Sequence, residues 1–408
     1  MLPREFATQV AEKLQAAGFQ GLWAGGCVRD QLLGMAPIDY DVATNATPQQ
    51  VRDLFGHRRT IPIGAAFGVI TVVGPKSAGQ IEVATFRRDM QYSDGRRPDS
   101  VEFTDAREDA SRRDFTINGM FFDPVQNELI DYVDGRADID FRIVRAIGDP
   151  HERIREDKLR LLRAVRFAAT LGFELEPTTR AAVVQHASEI GTVSAERIGS
   201  EMRRMLVHAN RAAAVQLLAD CHLLKGVLLD GDQLCSNRAN WRTRLGWLEQ
   251  LGSSCDFTQA AVILLSPLLK VQGILPTTER WKLSNAEQKT ILWMEQYGLT
   301  LSRAHLMPWS ELQPILIHPD AEKTLQVARV QFGEHHPGIQ MCEKKLQLPA
   351  DQLNPQPLLG GDDLIRMGMQ PGPVFTQLLK RVRAAQLDGE IGSHDEALSW
   401  VESIQTGQ

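Results

Sequence analysis

The stretch that decides the fold runs from residue 21 to residue 44 and reads GLWAGGCVRDQLLGMAPIDYDVAT. Within it, the segment AGGCVRD at residues 24–30 follows a β-like run and opens a predicted helix. Small residues and the free backbone N–H groups of a new helix therefore face whatever lies at the end of the strand. This geometry suits a triphosphate, although a Gly-Gly pair by itself is more often a plain strand-to-helix turn.

Short β-like runs alternate with helical patterns on both sides of this stretch. The runs lie at residues 21–24, 39–44, 69–73 and 81–86. Thr47 as N-cap and Pro48 as first helical residue mark the start of one helix. After residue 150 the strand patterns fade and helical periodicity takes over. Its segments are residues 154–169, 180–191, 195–207 and 212–224. The sequence therefore predicts an α/β or α+β domain ending near residue 140, with a mostly helical remainder.

The composition is that of an ordinary soluble protein. The 408 residues are 43% hydrophobic and 24% charged, enough to bury a large core in several domains. The net charge of -6 excludes binding of nucleic acid through bulk positive charge, so any RNA contact requires a local basic stripe. Five scattered cysteines without a Cys-x-x-Cys pair predict neither disulfides nor a thiolate zinc site and favour a cytoplasmic location. The longest apolar run, residues 260–269, is too short to span a bilayer.

Three carboxylates are the first candidates for chemistry. Asp39 and Asp41 are two residues apart at a predicted strand, which puts both on one side of it. Two such carboxylates repel unless a cation lies between them, so the pair predicts Mg²⁺ bound through Asp39, Asp41 and substrate phosphates. Alternation along residues 81–86 puts Glu82 on the polar side of a strand, as a candidate third catalytic carboxylate near the metals. The alternatives are solvated loop acids and an exposed strand glutamate.

An arginine-rich stretch follows the last of these strands. Its members are Arg87, Arg88, Arg96, Arg97, Arg107, Arg112 and Arg113. Guanidinium groups match phosphate oxygens bidentately, and Asp114 and Asn118 just beyond are candidates to bond ribose hydroxyls. Charge runs are usually solvated faces, and that is the expectation for Arg96, Arg97 and Arg107.

The most telling segment is EDKLRLLRAVRF at residues 156–167. If it is one helix, Asp157, Arg160, Arg163 and Arg166 share a stripe, because steps of three residues fall about 60° short of a turn. On a wet helix such a stripe is ordinarily an i,i+3 salt bridge of little energetic value. In a nucleotide site, Asp157 can accept from the exocyclic amine of C or A while Arg160 donates to ring acceptors. Arg163 and Arg166 would then hold the base or the phosphates.

Taken in this order, the segments resemble the class II tRNA nucleotidyltransferase and bacterial poly(A) polymerase family. The pattern GG-x-VRD at residues 25–30, with D-x-D at residues 39–41, resembles the catalytic motif. RRDFTIN at residues 112–118 resembles the ribose-reading motif, and ED-x-x-R at residues 156–160 resembles the motif that replaces a template with amino acids. Each motif alone is modest evidence, whereas their joint occurrence and order are highly specific.

Further likeness extends along the chain. AERI at residues 195–198 resembles the motif that braces the base-reading helix, and weaker matches lie at residues 359–364, 371–373 and 396–398. The resemblance implies an α+β fold, with a nucleotidyltransferase head built on a mixed β-sheet followed by an all-helical neck, body and tail. The implied domains are the catalytic head at residues 1–140, the nucleotide-selecting neck at 141–200, the helical body at 201–345 and the helical tRNA-binding tail at 346–408.

The resemblance also implies a reaction. Two Mg²⁺ ions held by Asp39 and Asp41 bring the RNA 3′-hydroxyl in line with the α-phosphate of CTP or ATP, and pyrophosphate departs. The implied nucleotide-binding residues are Gly25, Gly26, Arg29, Arg113, Asp114, Asn118, Asp157, Arg160, Arg163 and Arg166. The implied partner is the acceptor arm of tRNA, gripped mainly through phosphates, with neither DNA nor a membrane as a partner.

Resemblance alone does not separate CCA addition from CC-only addition, A-only addition and poly(A) synthesis. Residues 87–101 have the full length of a flexible loop that CC-only enzymes lack. GAAFG at residues 64–68 stands where poly(A) polymerases place basic residues, and the chain after residue 390 is not basic. CCA addition is therefore the main prediction, and A-only addition or poly(A) synthesis is the alternative.

Two hypotheses come from other classes of protein. A non-catalytic RNA-binding protein would gain nothing from clustered acids, Asp39 and Asp41, facing RNA phosphates. A small-molecule nucleotidyltransferase would leave the large helical half of the chain unexplained. The sequence therefore favours an RNA-extending enzyme over both.

Overall fold

The computed structural model describes residues 1–89 and 101–406, and the chain divides into two compact units. The first unit comprises Met1–Arg238 and Glu279–Lys282, and the second comprises Ala239–Thr278 and Leu283–Gln408. All five cysteines are free. Within the described residues, no helix has the length and apolar character needed to cross a membrane. The first unit is therefore not one continuous piece of chain.

The first unit is built around a mixed sheet. Its strands are β1 (Leu22–Ala24), β2 (Asp41–Thr44), β3 (Thr60–Gly64), β4 (Val69–Val73), β5 (Gln80–Thr85), β6 (Arg87–Asp89), β7 (Val101–Phe103), β8 (Phe121–Asp123), β9 (Glu128–Ile130), β10 (Ile143–Val144) and β11 (Glu174–Leu175). Seven of them form one sheet in the order β3-β4-β5-β2-β1-β8-β9. In it β2 and β5 are parallel and the other neighbours antiparallel. The mixed sheet confirms the predicted α+β head.

Helices alternate with these strands along the chain up to β11, and only helices follow in the described part of the chain. Those of the first unit are α1 (Pro3–Ala16), α2 (Gly26–Leu32), α3 (Pro48–Phe55), α4 (Ala106–Ser111), α5 (Gly135–Asp140), α6 (Pro150–Glu156), α7 (Arg160–Leu171), α8 (Pro177–Gln185), α9 (Ala195–Val207), α10 (Arg211–Asp220) and α11 (Leu224–Val227). The bounds of α9 match the predicted helix at residues 195–207. The helices predicted at residues 180–191 and 212–224 end earlier, as α8 and α10, and a short helical turn follows each.

The remaining helices extend to the end of the described chain. They are α12 (Arg238–Gln250), α13 (Phe257–Gln272), α14 (Leu275–Trp281), α15 (Asn285–Ser302), α16 (Trp309–Leu316), α17 (Ala321–Phe332), α18 (Pro337–Leu346), α19 (Ala350–Leu353), α20 (Gly361–Arg366), α21 (Pro373–Leu387) and α22 (His394–Thr406). The second unit has one apolar cluster around Leu301 and Ile339 and another around Leu364 and Val401. Within the described residues no strand follows β11, which confirms the helical second half.

Local signals position the elements that carry the site. Thr47 accepts a hydrogen bond from the Gln50 N–H at 3.4 Å, and Pro48 is the first helical residue of α3, as predicted. Gly25 caps α2 with φ 72° and ψ -126°, a conformation that favours glycine. A Cβ at Gly25 would also come within 3.2 Å of Arg113 Nη1. The turn into α2 therefore depends on glycine for its backbone and for the space beside Arg113.

One predicted helix is wrong. Residues 154–169 are not continuous, because α6 ends at Glu156 and α7 begins at Arg160. Asp157 lies between them with φ -144° and ψ 101°, and its Oδ1 accepts from the Leu159 N–H at 3.0 Å. Aspartate side chains compete with helical hydrogen bonding in this way, which apolar periodicity does not register. Asp157 therefore lies at a corner between two helices and not on a stripe along α7.

Candidate active site

A cleft of about 780 Å³ in the first unit gathers most of the predicted site residues. The predicted residues among its lining are Gly26, Arg29, Asp39, Asp41, Arg113, Asp114, Asn118, Asp157, Arg160, Arg163 and Arg166. Gly25 caps the helix that enters the cleft, and Glu82 lies beside Asp41 in the sheet. Eight arginines and five aspartates line the cleft, so its walls carry the net positive charge that a triphosphate requires.

Strand pairing brings the candidate carboxylates to one end of the sheet. Asp41 is the first residue of β2 and is in register with Glu82 of the parallel strand β5, while Asp39 precedes the strand. Glu82 lies on the exposed side of β5, opposite the buried Ile81 and Val83, as the alternation predicted. Asp39 and Asp41 line the cleft. The structure therefore brings the predicted pair together, with Glu82 as a neighbour in the sheet.

The negative charge of Asp39, Asp41 and Glu82 is only partly offset by a positive side chain, Arg113. The pKa of Asp41 is raised to about 6, and desolvation by the surrounding protein is the largest cause. The negative charges of Glu82 and Asp39 contribute to this rise in the pKa, and Arg113 opposes them. Among residues 1–89 and 101–406, no three or more His, Cys, Asp or Glu side chains converge as a metal-ligand cluster. Hard carboxylate oxygens with excess negative charge suit a divalent cation that completes its coordination from substrate and water.

A buried aspartate that the sequence analysis missed fixes the arginine pair of the ribose-reading motif. Asp109 is 2% exposed and accepts from Arg112 at 2.9 and 2.6 Å and from Arg113 at 3.2 and 2.9 Å. Burial alone would raise the pKa of Asp109, but the two guanidinium groups outweigh it and lower the pKa. The i,i+3 and i,i+4 spacing of Asp109 from the two arginines was the signal in the sequence. Asp109 therefore stays ionised and orients Arg113 toward the cleft.

The predicted ribose readers are linked to two arginines. Asp114 accepts from Arg163 Nε at 2.7 Å and from Arg163 Nη2 at 2.5 Å. Asn118 donates to Asp114 at 3.2 Å and accepts from Arg29 Nη1 at 2.7 Å. Burial would raise the pKa of Asp114, but the charges of Arg163 and Arg160 and the hydrogen bonds from Arg163 and Asn118 hold it at about 2. Asp114 and Asn118 thus hold Arg163 and Arg29 in place at the cleft.

The i,i+3 salt bridge between Asp157 and Arg160, which was the alternative to base reading, is not formed, because Asp157 lies outside the helix that contains Arg160. Asp157 accepts from Arg197 Nη1 at 3.0 Å and from Arg197 Nη2 at 2.7 Å. Arg160 donates to Glu156 at 2.6 Å and to the backbone carbonyls of Arg153 and Arg112 at 2.7 and 3.2 Å. Arg197 belongs to the AERI segment, whose likeness implied a bracing role. The AERI segment therefore contacts directly the aspartate that was predicted to read the base.

The aromatic ring of Phe167 and the buried carboxylate of Glu201 contact arginines of the cleft. Phe167 is 6% exposed, and the guanidinium carbons of Arg29, Arg163 and Arg166 lie 5.2, 5.3 and 4.0 Å from its ring centroid. Glu201 of α9 is 2% exposed and accepts from Arg166 Nε at 2.5 Å. The sequence analysis missed both residues. The signal for Glu201 was a charged residue among the apolar positions of α9.

The remaining predicted arginines differ in position. Arg107 is exposed, as expected for a solvated residue, and lies 4.7 Å from the Tyr132 ring centroid. Arg88 is also exposed and pairs with Glu102 at 2.7 Å. Arg87 and Arg112 line the cleft. Arg96 and Arg97 lie outside the described residues, together with most of the loop at residues 87–101 that the comparison with CC-only enzymes used.

The chain is similar to known proteins along nearly its whole length. The family model described as "Poly A polymerase head domain" matches residues 22–145, and the one described as "Probable RNA and SrmB- binding site of polymerase A" matches residues 172–234. The CCA-adding enzyme of Levilactobacillus brevis is 31% identical over 403 residues, covering 97% of each chain. That of Lactococcus lactis subsp. cremoris is 32% identical over 406 residues, covering 97% of this chain and 96% of the relative.

A solved structure agrees with these relatives. The Bacillus stearothermophilus CCA-adding enzyme, crystallised in complex with CTP, has a TM-score of 0.82 and 28% identity, covering 99% of this chain and 98% of that one. The sheet, the carboxylate corner and the arginine-lined cleft therefore define a nucleotidyltransferase with a poly(A) polymerase head. Within that class, the chain belongs to the family of CCA-adding enzymes.

Proposed function

We propose that this protein adds CMP and AMP from CTP and ATP to the 3′ end of tRNA, completing its CCA sequence and releasing pyrophosphate. One observation carries the proposal. The same cleft holds a carboxylate pair, Asp39 and Asp41, and a base-reading candidate, Asp157, whose two oxygens are fixed by Arg197. Residues proposed for catalysis and for nucleotide choice thus line one cleft, and the chain matches 97% and 96% of the two CCA-adding relatives named above.

Two Mg²⁺ ions are the proposed cofactor, held by Asp39 and Asp41. The residues fit the ion because both line the cleft and because desolvation, followed by the negative charges of Glu82 and Asp39, raises the pKa of Asp41, so a cation that offsets this charge is favoured. When bound, the metal supplies activation of the RNA 3′-hydroxyl and offsets the charge on the departing pyrophosphate. Glu82, beside Asp41 in register, adds negative charge that strengthens the attraction for a cation.

The arginines of the cleft are proposed to bind the triphosphate and the sugar. The N-terminus of α2, formed by Gly25 and Gly26, presents backbone N–H groups, and Arg29 enters the cleft from the same helix. Arg113, oriented by Asp109, faces them across the cleft. Asp109 holds Arg113, and Asp114 holds Arg163. Because both arginines are already oriented, the site needs little reorganisation when the charged substrate binds.

Asp157 and Arg160 are proposed to select the base, with Arg163 and Arg166 holding base or phosphate. A carboxylate offers about four acceptor positions, and three donors, two from Arg197 and one from Leu159, reach Asp157. Its free acceptor position suits the exocyclic amine that C and A share and that U lacks. Arg160 would exchange one of its backbone contacts for a ring acceptor of the base.

The rest of the chain is proposed to serve tRNA. We retain the division into head at residues 1–140, neck at 141–200, body at 201–345 and tail at 346–408. The helical body and tail would bind the acceptor arm through phosphates and shape. The free cysteines and the tRNA substrate favour a cytoplasmic protein.

Incorporation of labelled CTP and ATP into tRNA transcripts tests the proposal. The transcripts end before CCA, after the first C and after CC, and each nucleotide is supplied alone and with the other. We expect addition of two C and one A to the shortest transcript. A-only addition to the CC-ended transcript would replace the proposal with an A-adding enzyme, and long A tails on unrelated RNA would replace it with a poly(A) polymerase.

Alanine variants of Asp39 and Asp41 test the proposed metal site. Asp39→Ala and Asp41→Ala should each lower incorporation by about a thousandfold or more, since they remove proposed metal ligands. Arg107→Ala changes an exposed arginine outside the cleft and should leave incorporation unchanged. Wild-type incorporation by both aspartate variants would reject the metal site, and retained tRNA binding without incorporation in the wild type would favour the non-catalytic RNA-binding protein.

A further inference from the structure

Four residues from the middle of the helical half belong to the first unit. Residues Glu279–Lys282, here called the clasp, cluster with Met1–Arg238, although the chain on both sides of them belongs to the second unit. Arg280 of the clasp donates to the backbone carbonyl of Gly226 at 2.9 and 2.7 Å and to that of Ile190 at 3.0 Å. Longer bonds of 3.4 Å reach the carbonyls of Gly191 and Val193. One side chain thus ties α11 to the segment that precedes α9.

The next clasp residue lies against α9 itself. Trp281 is fully buried, and its indole N–H donates to the carbonyl of Val227 at 2.8 Å. A Cβ on Gly199, in the middle of α9, would lie 2.0 Å from the Trp281 carbonyl oxygen. Arg203, one turn later, donates to the carbonyls of Trp281 and Lys282 at 3.0 and 3.2 Å. The helix and the clasp are therefore in direct backbone contact, which only glycine permits.

The opposite side of α9 faces the cleft. Arg197 holds Asp157, Glu201 holds Arg166, and Arg204 lines the cleft. At 100° per residue, these three positions fall within about 60° of one another. Gly199 lies roughly 170° and Arg203 roughly 130° from the mean direction of these three, on the clasp side. One rigid helix thus separates the clasp from two residues that are proposed to read the nucleotide.

We propose that the clasp positions α9, so that Arg280 and Trp281 set the placement of Asp157 and Arg166 from outside the cleft. They are positioning residues, since they touch neither substrate nor reacting atoms. A displacement of α9 moves Arg197 and Glu201 together and loosens the base-reading side of the site while Asp39 and Asp41 stay in place on the sheet. The inference rests on the proposed function, because it assigns the clasp a part in the choice between nucleotides.

The test uses two full-length variants that disturb the contact from opposite sides. Gly199→Ala forces the clasp backbone away from α9, and Arg280→Ala removes the guanidinium that ties the clasp to Gly226 and Ile190. kcat and KM are measured for CTP, ATP and UTP on tRNA lacking CCA, well below the melting temperature of each variant. We expect discrimination against UTP to fall about tenfold or more, with KM for CTP and ATP rising more than kcat falls.

Val10→Ala is the matched control, because it removes buried volume from α1, which packs against β1, β2 and β5 of the same unit. It should lower the melting temperature and leave discrimination at the wild-type value. A clasp that merely stabilises the fold would give the same result for Gly199→Ala and Arg280→Ala, and that result overturns the inference. If either variant does not fold, Arg280→Lys keeps the charge but not the forked contacts, and wild-type discrimination in folded Arg280→Lys also overturns it.

The wild-type protein separates the two possible failures. If it does not incorporate C and A, the proposed function fails and the inference fails with it. If the wild-type protein incorporates both and the folded clasp variants discriminate as it does, only the inference fails.

Discussion

Arg197 holds Asp157 by two hydrogen bonds, of 3.0 Å to Oδ1 and 2.7 Å to Oδ2, across forty positions of the chain. The pairing is a fork of two N–H donors on two carboxylate oxygens, which fixes orientation as well as charge. Asp157 lies at the corner between α6 and α7, where its backbone is extended, with φ -144° and ψ 101°, so it does not continue the direction of either helix. The orientation of the proposed base reader is therefore set by α9.

Replacing Arg197 by lysine should weaken nucleotide selection more than catalysis. Lysine keeps the charge but presents one compact ammonium, so it cannot fix both oxygens of Asp157. We expect discrimination of CTP and ATP against UTP and GTP to fall by about tenfold. Single-turnover incorporation of the four nucleotides measures it. Arg107→Lys, an exposed arginine, is the control, and undiminished discrimination in Arg197→Lys would show that the fork is dispensable.

The magnesium requirement should rise as the pH falls toward 6. The pKa of Asp41 is raised to about 6, so protons compete with the cation for its carboxylate below that pH. At pH 5.5 we expect a half-saturating Mg²⁺ concentration about fourfold higher than at pH 7.5. A half-saturating concentration that does not change over this range would contradict the prediction.

Glu82→Gln should shift this pH dependence to lower pH. The negative charge of Glu82 is one cause of the raised Asp41 pKa, and glutamine removes that charge at nearly constant shape. The half-saturating Mg²⁺ concentration is measured from pH 5 to pH 8 for the variant and the wild type. Loss of incorporation at every pH would instead make Glu82 a third catalytic carboxylate.

Phe167→Leu should loosen three arginines at once. The ring lies under the guanidinium groups of Arg29, Arg163 and Arg166, and each such contact contributes about 0.5–1 kcal/mol. We expect kcat/KM for CTP and ATP to fall by about tenfold. Phe173→Leu is the control, since Phe173 is similarly buried, at 8% exposed, and does not line the cleft. Both variants should lose comparable thermal stability. An equal loss of activity in both would contradict the prediction that the Phe167 ring orients the three arginines.

Glu176→Gln should remove a pH-dependent part of the stability. Burial would raise the pKa of Glu176, but hydrogen bonds from Thr178 and Thr179 at the start of α8 hold it at about 2. The ionised carboxylate therefore contributes stability that is fully present above pH 4.5 and is lost as the pH falls toward 2. We expect the variant to be less stable by about 2 kcal/mol at pH 7.

The melting temperatures of the Glu176→Gln variant and the wild type should approach each other as the pH falls from 4.5 toward 2. The exposed Glu174 supplies the control Glu174→Gln, which should follow the wild type at each pH. A gap between Glu176→Gln and the wild type that is constant with pH would assign the effect to packing.

Features with short-range causes could be predicted from the sequence. Thr47 and Pro48 mark the start of α3 because a cap and a fixed φ act within one turn. The alternation around Glu82 fixed its exposed side because strand side chains alternate with period two.

Features with long-range causes could not be predicted. The helix break at Asp157 leaves no mark in apolar periodicity, so Asp157 and Arg160 were assigned to one stripe. The true partner of Asp157 is Arg197, and no local pattern relates the two. The buried acids differ in this respect, since Asp109 sits at helical spacing from its arginines whereas Glu201 meets Arg166 only through packing of α9 on α7.

The clasp bears on how hybrids of this chain and its relatives should be made. A crossover at residue 238 would exchange α9 with its Gly199 but leave behind Glu279–Lys282, the segment that α9 touches. A hybrid made there would inherit a helix from one parent and its backbone neighbour from the other. Recombinants that carry both pieces from one parent should keep that parent's fidelity, because the inherited unit of function is discontinuous in the gene.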